Sequence, residues 1–391
     1  MTQPKLWTKD FIVAALLNFL LVLVFYLLVV VIGHYATTEL NATVSQAGLA
    51  VGMFVVGVLA GRLAIGQYID KLGRKRSMTV GLFMSIITCL MYFVEAGITY
   101  LIVVRFLHGL AVGFAATATA TVVAYLIPTS RRGEGVGYFS MSTSLSTAIG
   151  PFIGIFLTQH AHFSAVLVVC SVLSTVSLAV SFLLTVPEAS VEDRAKSPRR
   201  FSFKQLLEPK AVPLCSLMFF FAAYYSGVLS YLNVYSIERD LVEPASFFFL
   251  AYSCSILASR PITGRLIDLH GSNLVMYPAI LAMALGFYCL SSATTGALLL
   301  TAGALIGFGF GNIQSCMQAV AVKLVDSHRM GLATTTFFIF MDAGLGFGPY
   351  LLGFVAPLTG YSNLYLICSV LILINVFFYH WVHGKPHGRS I

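Results

Sequence analysis

Arg62, Gly66, Asp70 and Gly73 recur as Arg260, Gly264, Asp268 and Gly271, every pair 198 residues apart. Three more landmarks keep that register: Gly109 and Gly113 with Gly307 and Gly311, Arg131 and Gly133 with Arg329 and Gly331, and Gly150-Pro151 with Gly348-Pro349. An ungapped offset through four regions marks an internal duplication. It constrains the fold severely, because any architecture proposed for the first half must serve the second half too.

Each copy of the duplicated stretch joins the end of one long apolar run to the start of the next. The chain is 58% hydrophobic and 10% charged, a composition suited to lipid. Lipid offers no partner to a bare peptide group, so a crossing segment must be helical and about 20 residues long. The pattern predicts spans at 11–33, 46–67, 77–96, 100–126, 137–158 and 164–186, then 211–235, 246–267, 274–292, 297–322, 331–356 and 363–383. The expected fold is thus all-α integral membrane, twelve transmembrane helices in two pseudo-symmetric six-helix bundles. The bundles are assigned to 1–186 and 211–391, the latter with a short tail. Between them, 187–210 is the only long polar segment; it reads as a cytoplasmic linker with a short amphipathic helix over 201–207.

The net charge of +8 is a matter of topology and does not indicate a nucleic-acid partner. If both termini and the even-numbered loops share one side, that side holds 19 of the 23 basic residues; Arg62, Arg105 and Arg260 are within spans and only Arg239 lies opposite. The positive-inside rule then puts both termini in the cytoplasm of a multi-pass cell-membrane protein. The run at 11–33 lacks a small-residue cleavage site and reads as a retained first span. All seven cysteines lie in apolar segments without a CxxC pair, which suits small buried hydrophobes better than disulfides or a metal site. His380, His383 and His387 read as a surface tail in preference to a metal site. No cofactor is expected. There is no Walker A sequence for ATP-driven pumping, and no HExxH or comparable acid–histidine cluster for an integral-membrane enzyme.

Two six-span halves of equal orientation are the pattern of parallel transporter repeats. The first-half stretch Gly66, Asp70, Lys71, Gly73, Arg74, Lys75, Arg76 resembles the loop motif between spans two and three of the major facilitator superfamily. The chain as a whole resembles that superfamily's twelve-span drug:proton antiporters. The resemblance implies a cytoplasmic gate, with Asp70 facing the start of span eleven and Asp268 that of span five. Gly66 lets a neighbouring helix close in, and Arg62 and Arg260 sit within the interface or snorkel to headgroups. Gly150-Pro151 resembles the antiporter motif of span five, with Ser146 and Ile155 where the pattern prefers glycine. Pro151 and Pro349 give spans five and eleven matched bends.

A guanidinium within a span needs a reason, and Arg105, with Gly109, resembles the family's RxxxG motif associated with proton coupling. An Arg105–Glu95 ion pair at the hairpin end is the structural alternative, and both readings stay open. His108 is either a titrating relay or a satisfied polar residue. Spans one, four, seven and ten are implied to line the cavity, offering Asn18, Tyr26, Thr117, Tyr224, Tyr225, Tyr231, Asn233, Asn312, Gln314 and Gln318. That aromatic and amide-rich set suits amphipathic organic molecules. Asp342 lies about 11 residues into span eleven, roughly 17 Å deep. A carboxylate there takes up a proton when desolvated and releases it when hydrated; the alternative is a structural, hydrogen-bonded Asp. The leading expectation is a monomeric secondary transporter exporting small molecules in exchange for protons by alternating access, with Arg105 as Asp342's relay partner. The rival on the same fold is a proton-coupled importer of a sugar, nucleoside or organic acid.

Overall fold

The computed structural model describes residues 5–66, 69–128, 132–186, 207–325 and 330–384, and every element among them is helical. In order these are α1 (Lys9–Thr38), α2 (Val44–Gly66), α3 (Ile69–Leu72), α4 (Arg74–Met91), α5 (Gly97–Leu126), α6 (Arg132–His160) and α7 (Phe163–Ser181). They continue as α8 (Val212–Glu238), α9 (Val242–Ser246), α10 (Phe248–His270), α11 (Asn273–Ser291), α12 (Gly296–Lys323) and α13 (Met330–Tyr379), which runs into a π-helical turn, His380–Gly384. The amphipathic helix expected over 201–207 falls, but for Leu207, outside the described residues.

Local chemistry sets the boundaries. Thr8 caps α1, its hydroxyl accepting from the Phe11 amide at 3.2 Å. Gly73 and Gly271, partners in the duplication, have φ of +90° and +85°, a backbone that L side chains rarely adopt; each ends one helix and starts the next. Gly360 (φ +76°) divides α13 into two helical segments, and Pro349 and Pro357 lie inside the first. Ten helical stretches among the described residues are long and apolar enough to cross a membrane. Large apolar side chains such as Phe83, Phe182, Ile262, Leu358 and Phe377 are exposed on the helices. In a water-soluble protein that surface would be a liability, but in lipid it is solvated.

The chain forms two compact units, 1–42 with 49–201 and 43–48 with 202–391. In the first, α1 packs on α6 and α7, and α4 on α5 and α7. In the second, α8 packs on α13, α11 on α12 and α13, and α10 on α12. The first turn of α2 belongs to the second unit. There Ser45 donates to the Tyr350 carbonyl at 3.5 Å, and Gly48 lies against Pro349 and Tyr231.

The duplication extends to contacts. A Cβ at Gly109 would overlap the Phe54 carbonyl, and one at Gly113 would press on Val58; a Cβ at Gly307 would overlap the Tyr252 carbonyl, and one at Gly311 would press on Ile256. Phe54 and Tyr252, like Val58 and Ile256, are again 198 residues apart. Small residues at one-turn spacing let the backbones of α2 and α5, and of α10 and α12, approach to contact where no hydrophobic effect drives helices together.

Candidate functional site

That close approach positions Arg105. The side chain is completely buried in α5 and is held on the neighbouring backbone by two of its three nitrogens. Nε donates to the Ala50 carbonyl at 3.1 Å and Nη2 to the Val51 carbonyl at 3.3 Å, while the guanidinium carbon lies 4.7 Å from the Phe54 ring centroid. A helical carbonyl already bonded to its own i+4 amide keeps a second lone pair, and α2 is near enough to present two of them. The alternative of an Arg105–Glu95 ion pair gains no support from these bonds: Glu95 is exposed in the turn after α4, whereas Arg105 bonds to α2. Nη1 of Arg105 is buried without a hydrogen bond.

Around the guanidinium lies a polar cluster. His108 is fully buried, with Nδ1 at 3.2 Å from the Tyr92 hydroxyl and Nε2 at 3.3 Å from the Ser85 hydroxyl. Cys89 Sγ sits 3.4 Å from Ser174 Oγ. A neutral imidazole supplies one donor and one acceptor, so two hydroxyls satisfy it without a second proton. Sequence reasoning missed Ser85, Cys89 and Tyr92. Their i, i+4, i+7 spacing on one face of α4 was the available signal.

In the second unit two acids are buried, Glu208 before α8 and Asp342 within α13; Asp342, 6% exposed, lies in the part of α13 that Gly344 and Gly348 press onto α8 at Phe219, Ala223 and Ser226. Tyr231 donates its hydroxyl to the Pro349 carbonyl, fixing the bend of α13. Asn233 is buried with its amide nitrogen unbonded, and Tyr224 is hydrogen-bonded to Asn375.

Several expected cavity residues have another use. Asn312 accepts from Thr263 Oγ1 at 2.7 Å and donates to Ser259 Oγ at 3.1 Å and to the Phe308 carbonyl at 2.8 Å, which makes it a tie between α12 and α10. Asn18 donates to Ser142 at 2.8 Å and Thr143 at 3.0 Å, tying α1 to α6. Tyr225 is stacked between Tyr252, 5.3 Å away, and Phe310, 4.2 Å away, as core. An intramembrane amide can saturate itself on the nearest helix, as Asn18 and Asn312 do here. Tyr26, Thr117, Gln314 and Gln318 are half-buried.

The expected gate residues divide in two. Arg74 is 2% exposed, its guanidinium 3.7 Å from the Tyr125 ring centroid, and Lys75 donates to the Leu184 carbonyl at 3.1 Å, so the basic cluster binds the ends of α4, α5 and α7 together. The side chains of Gly66's neighbours Gln67 and Tyr68, and those of Asp70 and Asp268, lie outside the described positions. Arg62 is half-buried and Arg260 exposed. Gly150 packs on Leu23 and Tyr26 of α1, leaving the Pro151 bend against that helix. Among the described residues no group of three or more His, Cys, Asp or Glu is placed to hold a metal ion. His380 and His383 are instead hydrogen-bonded to Tyr277 and Ser272.

Long apolar helices in two internally repeated units, with a buried arginine held on backbone carbonyls, define a multi-pass helical membrane protein. The chain belongs to the Major Facilitator Superfamily, whose model matches residues 14–337 and 242–391; it is a membrane transporter. It is 25% identical over 346 residues to an uncharacterized MFS-type transporter of Methanocaldococcus jannaschii, covering 87% of this chain and 89% of that one. It is 21% identical over 350 residues to the staphylopine export protein of Staphylococcus aureus, covering 86% and 87%. The fold is similar to a crystal structure of the nucleoside transporter NupG, with a TM-score of 0.81 at 14% identity over 96% of this chain and all of that one. It is also similar to a POT family transporter in complex with a thioalcohol conjugated peptide, with a TM-score of 0.79 at 14% identity over 96% and 97%.

Proposed function

We propose that this transporter exports small amphipathic organic molecules in exchange for protons, by alternating access, with Asp342 carrying the proton. The observation that carries the reading is a carboxylate 6% exposed inside a membrane-crossing helix. Such an acid is costly unless its charge is removed or used, so a site for reversible protonation is its natural role. The export direction draws on the relative that exports staphylopine and on the Gly150-Pro151 stretch. Twelve crossings follow if α4 is added to the ten long apolar stretches and α13 is divided at Gly360. The helix α4 narrowly misses the apolar standard because Arg74, Lys75 and Arg76 open it. In this reading both termini are cytoplasmic, Asp70 and Asp268 act at the cytoplasmic gate, and one copy of the chain suffices.

Everted membrane vesicles provide the test. Acidified inside, vesicles with the wild-type chain should accumulate an exported compound, and Asp342→Asn should abolish that accumulation while leaving compound binding intact. Wild-type pH dependence in the Asn variant would make Asp342 structural. Accumulation only in right-side-out vesicles would reverse the direction and favour the importer.

A further inference from the structure

We infer that the second unit carries a binding site for the headgroup of an acidic phospholipid, separate from any transport pathway. A cavity of about 270 Å³ lies where the ends of α10, α12 and the terminal π-helical turn surround the start of α11. One side is polar, with Ser272, Lys323 and His383; the other is apolar, with Ile267, Val320 and Leu324. The volume falls below the range of about 300–1,000 Å³ that holds drug-sized ligands and suits a headgroup with the glycerol end of its chains.

The architecture is built, since the turn that closes the cavity is anchored at four points. Tyr379 donates to Asn273 Oδ1 at 2.8 Å, Tyr277 and His380 Nδ1 are 2.8 Å apart, Ser272 and His383 Nε2 are 3.0 Å apart, and Asn273 Nδ2 donates to the Gly384 carbonyl at 3.3 Å. The depth is set by the side chains leading into it. Phe377 and Phe378 are 76% and 53% exposed, as lipid-facing phenyl groups, and Trp381, 72% exposed, follows one turn later. Exposed tryptophan concentrates at the membrane–water boundary, which places the turn that carries Trp381 and His383, and the cavity His383 lines, at headgroup level. The positive-inside count puts this end at the cytoplasmic leaflet, where acidic lipids gather. A cation and hydroxyl above an apolar wall recognise a phosphodiester whose chains continue into the bilayer. Free phosphate shares the charge but has no use for Ile267, Val320 and Leu324.

Trp381 reports on the site. The chain has two tryptophans, so Trp7→Phe leaves Trp381 as the sole emitter in the full-length protein. Titration with phosphatidylglycerol and with phosphatidylcholine, both carrying bromine on the acyl chains, should quench Trp381. The acidic lipid should reach half-quenching at about fivefold lower concentration, the preference one interfacial basic residue supplies. Lys323→Gln should erase that preference and Lys323→Arg should keep it. Lys385 and Arg389 are present in both variants, so the difference belongs to Lys323. Equal quenching by the two lipids, or an undiminished preference in Lys323→Gln, would overturn the site. Relief of quenching by millimolar inorganic phosphate, against chloride at equal ionic strength, would reassign it to free phosphate.

Discussion

Arg105 and Gly303 occupy the same place in the two copies of the duplication, and the contact each makes is equivalent. Arg105 donates to the Ala50 carbonyl, and Gly303 lies against the carbonyl of Phe248, the partner of Ala50 in the register. Around Arg105 stand His108, Tyr92, Cys89 and Ser85; their partners around Gly303 are Ile306, Leu290, Phe287 and Met283. The reverse holds elsewhere. The Asn312–Thr263–Ser259 knot in the second unit corresponds to Phe114, Ile65 and Gly61 in the first. A shared backbone thus holds these two polar clusters at different positions along the helices of the two copies. The backbone contacts are common to both copies, and the polar groups are present in one copy or the other. Any function that is not symmetric between the copies has its material in those differences.

The comparison can be broken most severely at the shared contacts. Leucine at Gly109 or at Gly307 forces a side chain into a backbone carbonyl, and overpacking of this kind costs about 3 kcal/mol or more. Both variants should be lost from the folded, monodisperse fraction on size-exclusion chromatography. One tolerated and one lost would mean that the copies do not share the contact.

A smaller and asymmetric effect is expected where the copies differ. Arg105→Met replaces a buried cation with an apolar side chain of similar length and leaves no charge to satisfy. It should keep the thermal midpoint within a few degrees while removing proton-driven transport. Gly303→Arg brings a guanidinium to the carbonyl of Phe248 without the polar surroundings of Arg105, and a cost of about 3 kcal/mol for an unmatched intramembrane arginine should lower the midpoint and the yield. Equal stability of the two variants would show that the cluster around Arg105 does not accommodate its charge.

The smallest effect belongs to the second unit's knot. Asn312→Leu removes two hydrogen bonds between α12 and α10 and one within α12, and intramembrane bonds average about 0.6 kcal/mol each. A modest fall in the midpoint with normal transport is expected. Loss of compound binding at normal stability would return Asn312 to the cavity lining.

The helical layout was readable because a membrane span has a length and a composition, and the register because glycines and prolines at bends and close contacts cannot be replaced freely. Arg105 was recognisable as a charge needing an explanation, but its partners were not. The carbonyls of Ala50 and Val51 are borne by every residue type and leave no mark in a sequence. The same limit applies to Asn18 and Asn312. An amide in a span advertises a hydrogen bond, and only the neighbouring helix decides whether a ligand or a serine receives it. Tyr277 and His380 are 103 residues apart and meet through the packing of α11 beside the chain's end, which no local pattern announces.

Gly81 lies against Ala111, and at the equivalent place Gly309 lies against Ala279. Gly81 is the register partner of Ala279, and Ala111 that of Gly309, so the glycine has changed sides. The two copies agree on the distance between a pair of helices and disagree on which helix forgoes its side chain. A column-by-column comparison scores both positions as divergence, although the pair read together is unchanged. Descent in a helical membrane protein of this kind is written in the spacing between helices, and its unit of inheritance there is the facing pair.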